Sequence, residues 1–416
     1  MNSVAKSLEW TPLPPVLRLL NRMTPLMKVL MGAKLSLQMQ DILDDATKKT
    51  GLEDFGEESF REPLEQLLSA LREEGELNFM GYMGTRERLR TLLSNRLSVV
   101  RDQKAEPDIR KQKITAPIFI LGLPRTGTSI LYYLFAQDPH LLSPTHWKMM
   151  FPSPPPELEV DISTDPRCIE AQKRLNSLFR FRPEFRAIHD LKVELPNECI
   201  LFKDLNFTSI AFPTAYHLPT YQKWLLTCSQ KHTYEWHKRC LQQLQYRTEL
   251  KQWVLKSPDH LVSIKDLFKV YPDARIIQTH RDPMKVIPSY SSLNFALTSL
   301  SSHRTTSDQV GRAMADLWHH GLQNTHVFRQ EHPELAERFI DVRFEEVCDD
   351  LMGLVERLYK RLGLDFTEDI RLRMNQFIED NPRNKHGKHR YSLEQFGLDE
   401  AKESRRFSWY EPYWKS

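Results

Sequence analysis

The sequence predicts an α/β fold with a central parallel sheet between helical layers, a helical N-terminal extension and a helical insertion. Two observations support this fold class. Short apolar runs that end in polar residues occur at 117–122, 253–256, 274–280 and 339–344, and a helical pattern follows each one. Strands joined through helices run parallel, so their carboxyl ends meet at one edge of the sheet, where α/β proteins place their sites.

The first part of the chain is expected to be helical throughout. A helix that ends at Gly51, a capping box that opens at Ser59 and apolar residues at helical spacing over 84–101 support this expectation. We therefore divide the chain into an N-terminal extension, residues 1–110, and a main domain, residues 111–416. The extension shows no concentration of chemically reactive side chains.

Residues 15–40 combine many Leu, Met and Val residues with four basic ones, Arg18, Arg22, Lys28 and Lys34. We expect helices that pack on their own domain with the basic side chains in solvent. A basic amphipathic helix that lies on a membrane is the alternative, so the sequence permits peripheral membrane contact. No apolar run is long enough to predict a transmembrane segment, and the N-terminus lacks a secretory pattern.

Composition limits the partners and the compartment. With 58 basic and 55 acidic residues the net charge is +3, too small to indicate nucleic acid binding. The five cysteines are odd in number and include no C-x-x-C pair. This favours a reducing, cytoplasmic location without disulfides or a zinc site. The sequence permits an oligomer without defining one.

The chain is organised around the loop between the first strand and the helix predicted at 130–135. Gly122 and Gly127 have the spacing of the phosphate loop G-x-x-x-x-G-K-[ST], but Thr128 stands where the lysine belongs. Arg125 is the nearest cation. Loop amides and a helix N-terminus can cradle a phosphate, whereas the missing lysine argues against a magnesium-assisted γ-phosphate site.

This loop, Leu-Pro-Arg-Thr-Gly-Thr-Ser at 123–129, resembles the 5′-phosphosulfate loop of sulfotransferases that use 3′-phosphoadenylyl sulfate (PAPS). It is similar to the arginine version found in bacterial and tyrosylprotein sulfotransferases. The resemblance implies a P-loop-like fold, PAPS as cosubstrate and no metal. It also implies that the 5′ phosphosulfate is held by Arg125, Thr126, Gly127, Thr128 and Ser129.

Two further segments resemble cofactor contacts of that family. Arg281, at a strand end, and Ser289, eight residues later on the next helix, are similar to its 3′-phosphate signature. An arginine fork and a hydroxyl are suited to one phosphate. The basic tail around Gly387 resembles the segment that closes over the nucleotide, which implies contacts from Lys388, Arg390 and Tyr391. A solvated basic loop is the alternative for this tail.

The resemblance assigns charge stabilisation to Arg125 and to Lys256, the last residue of the 253–256 strand. The general base is less defined. Glu198, in a Pro-x-Glu segment, is ranked first and Glu194 is its alternate. His146 and then His260 follow. Glu198 is expected in the first turn of a helix, where it would also favour the helix N-terminus.

We therefore predict a sulfotransferase that moves a sulfuryl group from PAPS to a hydroxyl or amine of a small-molecule or lipid-like acceptor. A stiff proline-rich loop at 144–156 and helices within an insertion of about 150–250 would surround the acceptor. A nucleotide-dependent kinase with a degenerate loop is one alternative and would need Asp282 or Asp341 for magnesium. A non-catalytic 3′-phosphonucleotide-binding protein is the other.

Overall fold

The computed structural model describes residues 13–157, 163–183, 191–249, 252–302, 304–382 and 391–415. Its centre is a four-stranded sheet in the order β2-β1-β3-β4, with every neighbouring pair parallel. The strands are β1 (Ile118–Gly122), β2 (Val254–Lys256), β3 (Arg275–His280) and β4 (Phe339–Arg343). The predicted parallel sheet is therefore confirmed.

The central strand β1 explains the layered packing. All five of its residues are buried, as expected for a strand covered on both faces. Phe119 and Leu121 enter one hydrophobic core, while Ile118 and Ile120 enter a second core on the other face. Because side chains alternate along a strand, the sheet separates two helical layers, and the predicted α/β fold class is confirmed.

Five N-terminal helices precede the sheet, and all but the first contribute side chains to the same core as Phe119. They are α1 (Pro15–Arg22), α2 (Thr24–Met31), α3 (Met39–Thr50), α4 (Arg61–Glu73) and α5 (Phe79–Ala105). Helix α3 ends at Gly51 as predicted, in a left-handed conformation with φ 69°. The capping box at Ser59 is wrong, because a short 3₁₀ turn precedes α4 and no side chain caps that helix.

A second group of helices lies between β1 and β2. It comprises α6 (Thr128–Phe135), α7 (His146–Met150), α8 (Pro166–Phe181), α9 (Ile200–Lys203), α10 (Ala211–Ala215), α11 (Pro219–Leu225) and α12 (Lys231–Gln245). The stiff surface loop predicted at 144–156 instead contains α7, whose Trp147 and Met149 are buried. Prolines flank this short helix without interrupting it, so the segment contributes to the core.

The remaining helices follow β2, β3 and β4. They are α13 (Ile264–Val270), α14 (Pro283–Ser301), α15 (Ser307–Glu331), α16 (Phe344–Asp349), α17 (Leu351–Leu362), α18 (Glu368–Asp380), α19 (Glu400–Phe407) and α20 (Glu411–Trp414). Helix α14 begins with Asp282 as its N-cap, which accepts a hydrogen bond from the Met284 N–H. It therefore starts directly beyond the carboxyl end of β3.

A buried ion pair ties the insertion to the sheet. The ammonium group of Lys203, in α9, contacts the carboxylate of Asp259, which follows β2, and both side chains are fully buried. Lys203 Nζ also donates to Ser263 Oγ at 3.0 Å, and Asp259 Oδ2 accepts from the Ile210 N–H at 3.1 Å. These bonds fix the segment that follows residue 198 against the end of β2.

Removing one partner of this pair should be strongly destabilising. We expect Lys203→Met to lower the free energy of unfolding by roughly 3–5 kcal/mol, because it leaves the Asp259 carboxylate buried without its counter-charge. The double variant Lys203→Met/Asp259→Leu should recover part of the loss. Urea titration followed by tryptophan fluorescence measures both.

The matched control is Lys111→Met, which removes an exposed ion pair with Asp108. Exposed ion pairs contribute little to stability, so the free energy of unfolding of this variant should equal that of the wild type. Equal losses in the Lys203 and Lys111 variants would contradict a structural role for the buried pair.

Candidate functional site

The loop after β1 contains two positions that only glycine can occupy. Gly122 has φ 149° and Gly127 has φ 89°. A Cβ at Gly122 would lie 2.2 Å from Thr279 Oγ1, and one at Gly127 would lie 2.9 Å from a methyl carbon of Val347. Arg125 is also left-handed, with φ 66°. The loop thus holds a tight turn between β1 and the N-terminus of α6, the build of an anion cradle.

Thr126 holds this loop together from the inside. Its side chain is fully buried, and its Oγ1 donates to the Leu123 carbonyl at 2.6 Å. The same oxygen shares a hydrogen bond of 2.5 Å with Thr279 Oγ1 on β3. The hydroxyl is therefore committed to the loop, and any contact of Thr126 with an anion would come from its backbone N–H.

The first residues of α6 face the end of β2. Thr128 is buried at the start of this helix, while Ser129 Oγ accepts a hydrogen bond from Lys256 Nζ at 3.3 Å. The loop amides, the helix N-terminus and the Lys256 ammonium group consequently converge on one region. Fixed dipoles and a nearby cation stabilise negative charge there without further rearrangement.

Lys256 also brings Glu198 into the site. The Lys256 side chain is only 3% exposed, and its Nζ donates to Glu198 Oε1 at 2.7 Å. The backbone N–H of Cys199 donates to the Lys256 carbonyl at 2.9 Å, which attaches the Glu198 segment to β2. The predicted placement of Glu198 in a helical first turn is wrong, because α9 begins only at Ile200.

The second-ranked base, His146, lies beside the same acid. The backbone N–H of His146 donates to the Leu195 carbonyl at 2.8 Å, so the two segments run side by side. Asn197 then connects the candidates, because its side-chain amide contacts His146 Nδ1 and its Oδ1 accepts from the Glu198 N–H. The structure thus brings together two residues that lie 52 positions apart.

His260, ranked third, lies outside the site. Its side chain is fully buried, its Nδ1 shares a 2.8 Å hydrogen bond with the Tyr234 hydroxyl, and it packs edge-on against Phe119. Burial, aided by the charge of Lys203, lowers the pKa of His260 well below its ordinary value. A neutral histidine enclosed in aromatic side chains serves packing, which the sequence could not distinguish from a catalytic position.

Arg281 lies against the glycine loop. Its Nη1 donates to the Arg125 carbonyl at 2.7 Å, and its guanidinium group stacks on the Phe344 ring at 3.9 Å from the centroid. Burial and the neighbouring Arg125 charge lower the pKa of Arg281. Ser289 is half-buried on α14, the helix that follows. Two neighbouring guanidinium groups form a region suited to a multiply charged anion.

The C-terminal segment reaches the same region at Tyr391. Burial raises the pKa of Tyr391, while the Ser292 hydroxyl and the positive charge of Arg125 oppose the increase. Tyr391 therefore lies near both α14 and the loop arginine. The other two predicted contacts of this segment, Lys388 and Arg390, lie outside the described residues.

Two tyrosines near Glu198 were missed by sequence reasoning. Burial and then the charge of Glu198 raise the pKa of Tyr290, which follows Ser289 on α14. The hydroxyl of Tyr132, on α6, is buried and has no hydrogen-bond partner among the described residues. Both resemble ordinary core aromatics in the sequence, and only the fold places them beside the acid.

A polar clamp supports the strand that carries Arg281. His280 Nε2 shares a 2.7 Å hydrogen bond with Asp341 Oδ1, and its Nδ1 shares one of 2.6 Å with the Tyr410 hydroxyl. Arg329 donates to both Asp341 oxygens at 2.7 Å. The clamp joins β3, β4 and the C-terminal helices, so it holds the residue immediately before Arg281.

With this geometry in hand, comparison with known proteins assigns the class. The family model described as the sulfotransferase family matches residues 117–368, which include the glycine loop, Glu198, Lys256 and Arg281. The chain belongs to the sulfotransferase family. It is therefore a sulfuryl-transferring enzyme, as the resemblance of its loop indicated.

Individual relatives agree with this assignment. The omega-hydroxy-beta-dihydromenaquinone-9 sulfotransferase Stf3 of Mycobacterium bovis is 28% identical over 296 residues, 67% of this chain and 71% of the relative. The crystal structure of STF1 from Mycobacterium tuberculosis superposes with a TM-score of 0.80 at 29% identity, covering 89% of this chain and 98% of STF1. STF9 from Mycobacterium avium gives 0.80 at 27% identity, covering 91% and 97%.

The kinase alternative is not favoured. Its two candidate magnesium ligands have structural partners: Asp282 caps α14, and Asp341 binds Arg329 and His280.

Within the described ranges, none of the helices has the length and apolar character needed to cross a membrane.

The clamp gives a prediction for acid stability. Burial alone would raise the pKa of Asp341, but hydrogen bonds from Arg329 and His280 outweigh it and hold the pKa below its ordinary value. A depressed carboxyl pKa stabilises the fold above the unfolded-state pKa, and this contribution is lost as the pH falls below about 4. The melting temperature of the wild type should therefore fall more steeply with decreasing pH than the melting temperature of Asp341→Asn.

The control for this experiment is Asp369→Asn, which removes an exposed pair with Arg373. Its acid profile should follow the wild type. An Asp341→Asn protein with the same acid dependence as the wild type would show that the clamp does not stabilise the fold.

Proposed function

We propose that this sulfotransferase transfers the sulfuryl group of PAPS to a hydroxyl or amine of a small-molecule or lipid-like acceptor. The observation that carries the proposal is the position of Lys256 Nζ, which lies 3.3 Å from Ser129 Oγ at the cradle and 2.7 Å from Glu198 Oε1. One ammonium group therefore contacts both the anion side and a potential base. This is the arrangement that displacement at a sulfuryl group requires.

The residues present fit a donor with phosphates at both ends of its ribose. Loop amides, Thr128, Ser129 and the α6 N-terminus hold the 5′ phosphosulfate. Arg281 and Ser289 hold the 3′ phosphate, with Tyr391 close to Arg125 on the same side. The 2.7 Å bond from Arg281 to the Arg125 carbonyl supports this division, because it fixes the two arginines next to each other before any anion arrives.

Different residues take up the proton of the acceptor and stabilise the charge of the leaving group. Glu198 takes the proton of the acceptor group as its oxygen or nitrogen bonds to sulfur and the bond from sulfur to the phosphate oxygen breaks. Lys256 and Arg125 stabilise the charge that remains on the leaving phosphate. His146, connected to Glu198 through Asn197, is the second candidate base.

The acceptor class rests on a relative and on the surroundings of Glu198. Stf3 is named for an ω-hydroxylated menaquinone, a lipid with a terminal hydroxyl. In this chain, the aromatic side chain of Tyr290 lies close to Glu198 and stacks edge-on against Trp318, 5.3 Å between centroids. A hydroxyl on an apolar molecule suits a carboxylate bordered by aromatic rings.

The structure describes all five cysteines without a disulfide, and Cys168, Cys199 and Cys240 are buried. Burial raises the pKa of Cys240 to about 12, so this thiol stays protonated. We propose that the enzyme works in the reducing cytoplasm.

The donor prediction is tested by calorimetric titration with 3′-phosphoadenosine 5′-phosphate. We expect Arg281→Ala to weaken its binding about 10- to 100-fold, the loss expected for charge-assisted hydrogen bonds. Arg125→Ala should weaken it less, because loop amides still hold the 5′ phosphate. ATP with magnesium should bind weakly to every variant.

The matched control is Arg371→Ala, an arginine in surface ion pairs with Glu356 and Glu368. Its affinity for the bisphosphate should equal that of the wild type. Tighter binding of ATP with magnesium than of the bisphosphate would reject the PAPS proposal and favour a kinase. Unchanged bisphosphate affinity in Arg281→Ala would have the same consequence.

The base prediction is tested by comparing Glu198→Gln with Glu194→Gln, an exposed acid in the same segment. We expect Glu198→Gln to lower kcat by about 10²- to 10⁴-fold while bisphosphate affinity stays within a few fold. Glu194→Gln should retain wild-type turnover. Sulfuryl transfer from ³⁵S-labelled PAPS to a panel of hydroxylated lipids and phenols provides the measurement.

Full turnover by Glu198→Gln, together with a large loss in His146→Gln, would move the base to the histidine. Tight bisphosphate binding without transfer to any acceptor would instead favour the non-catalytic nucleotide-binding alternative.

A further inference from the structure

Helices α1 and α2 leave much of their apolar surface in solvent. The buried side chains on these helices are polar, Asn21 on α1 and Thr24 on α2. Asn21 Oδ1 accepts from the Met80 N–H at 3.0 Å, and Thr24 Oγ1 donates to the Asn21 carbonyl at 2.6 Å. A surface helix of a globular protein normally buries its apolar face. The basic side chains of this segment are exposed, as expected, and Met27 and Met31 pack half-buried against the core. The expected burial of the apolar face is nevertheless incomplete, because no large apolar side chain of α1 or α2 is fully buried.

Six large apolar side chains on and between the two helices are exposed to solvent. They form what we term the α1–α2 surface: Val16 (68% exposed), Leu19 (58%), Met23 (36%), Leu26 (48%), Val29 (81%) and Leu30 (69%). Ten large apolar side chains are exposed in the described ranges, and these are six of them. Such a concentration on one short segment marks an interaction surface, because exposed apolar side chains normally occur singly.

Basic side chains border this surface. Val16, Leu19 and Met23 recur at the spacing of one helix face, while Arg18 and Arg22 are exposed on an adjoining face. Residues 13–40 contain four basic residues and no acidic one. Their charge of +4 exceeds the +3 of the whole chain, so the remainder carries −1. Positive charge is thus concentrated beside the exposed apolar side chains.

We propose that the α1–α2 surface docks on an anionic lipid bilayer. Apolar side chains would enter the boundary between headgroups and acyl chains, and the basic ones would contact lipid phosphates. Each helix has eight residues, about 12 Å of length against a hydrocarbon core of roughly 30 Å, so the pair lies on the bilayer and does not span it.

The positive charge beside the α1–α2 surface favours docking on anionic lipid over docking on a second copy of the chain. In a two-fold dimer the same surface meets itself, so Arg18 and Arg22 would face the equivalent basic groups of the partner copy. A bilayer with anionic headgroups supplies the opposite charge and covers the apolar side chains at the same time. Lys28 is partly committed to the protein, since its Nζ donates to the Tyr82 hydroxyl at 2.8 Å.

The α1–α2 surface is attached to the C-terminal end of α14, the helix that begins after Arg281. The Asn78 N–H donates to the Ser301 carbonyl at 2.8 Å, two residues before Met80, to which Asn21 binds. The 19 residues of α14 separate this end from Arg281 by about 28 Å along the helix. That separation exceeds a Debye length of about 8 Å, so the two basic regions attract their anions independently.

Co-flotation of the full chain with vesicles tests the proposal and requires no turnover, so its outcome is independent of the proposed PAPS chemistry. We expect the wild type to float with equimolar phosphatidylcholine–phosphatidylglycerol vesicles and to remain behind with phosphatidylcholine alone. Leu19→Gln/Val29→Gln/Leu30→Gln should weaken partitioning roughly tenfold or more. Arg18→Gln/Arg22→Gln should weaken it about fivefold for each charge removed.

The matched control is Leu372→Gln, an exposed leucine on α18 (59% exposed), which should float like the wild type. Circular dichroism melting verifies that each variant is folded. Failure of the wild type to float with anionic vesicles would overturn the proposal, and so would flotation unchanged in the triple variant. A dimer that the triple variant converts to monomers, without an effect on flotation, would assign the surface to a second copy.

Discussion

The parallel register of β1 between β2 and β3 is the constraint on which the site depends. Ile120 lies opposite Lys256, and Gly122 lies opposite Thr279. Lys256 therefore ends its strand two residues below the level of Gly122, while β3 extends to His280, one residue beyond that level, and is followed by Arg281. The long insertion between β1 and β2 can vary without moving these groups, because backbone hydrogen bonds of the sheet fix their relative height.

The loop is held in its conformation by hydrogen bonds from the neighbouring strand and from the residue that follows it. Arg125 has φ 66°, a conformation that costs of order 1–3 kcal/mol for a residue with a side chain. The bond from Arg281 to its carbonyl and the Thr126–Thr279 pair fix the turn from two sides. The loop amides are thus already oriented in the folded protein. The free energy of ordering them is spent during folding and does not weaken anion binding.

Sequence patterns sufficed for the sheet and for the groups at its strand ends. Apolar runs identified β1 to β4, and polar residues after them identified Lys256 and Arg281, because both features are local in the chain. The pairing of His146 with Glu198 through Asn197 depends on two distant segments running side by side, which no local pattern encodes. The roles of Arg281 and Ser289 toward a 3′ phosphate stay predictions.

Two further features of the structure could not be decided from local sequence patterns. The sequence pattern of α1 and α2 is amphipathic, and amphipathicity alone does not tell which face is buried. Only the contacts of Asn21 show that a polar side chain takes a fully buried position on α1. Likewise, His260 carries a reactive group next to a strand end, but the aromatic side chains around it come from elsewhere in the chain, so its burial was not evident.

The charges of the site explain why it should respond strongly to its ligand. Arg125 and Arg281 lie close enough for the first to lower the pKa of the second, so the protein without an anion holds two like charges together. Lys256 is balanced by Glu198 in an ion pair. In the described ranges Arg281 forms no ion pair with a carboxylate, although the more distant charges of Glu345 and Asp282 partly offset that of Arg125. Under the proposed function, an anion in the cradle relieves this repulsion, and by linkage it stabilises the folded chain. Under the proposed function, these charges select a ligand with several phosphate groups.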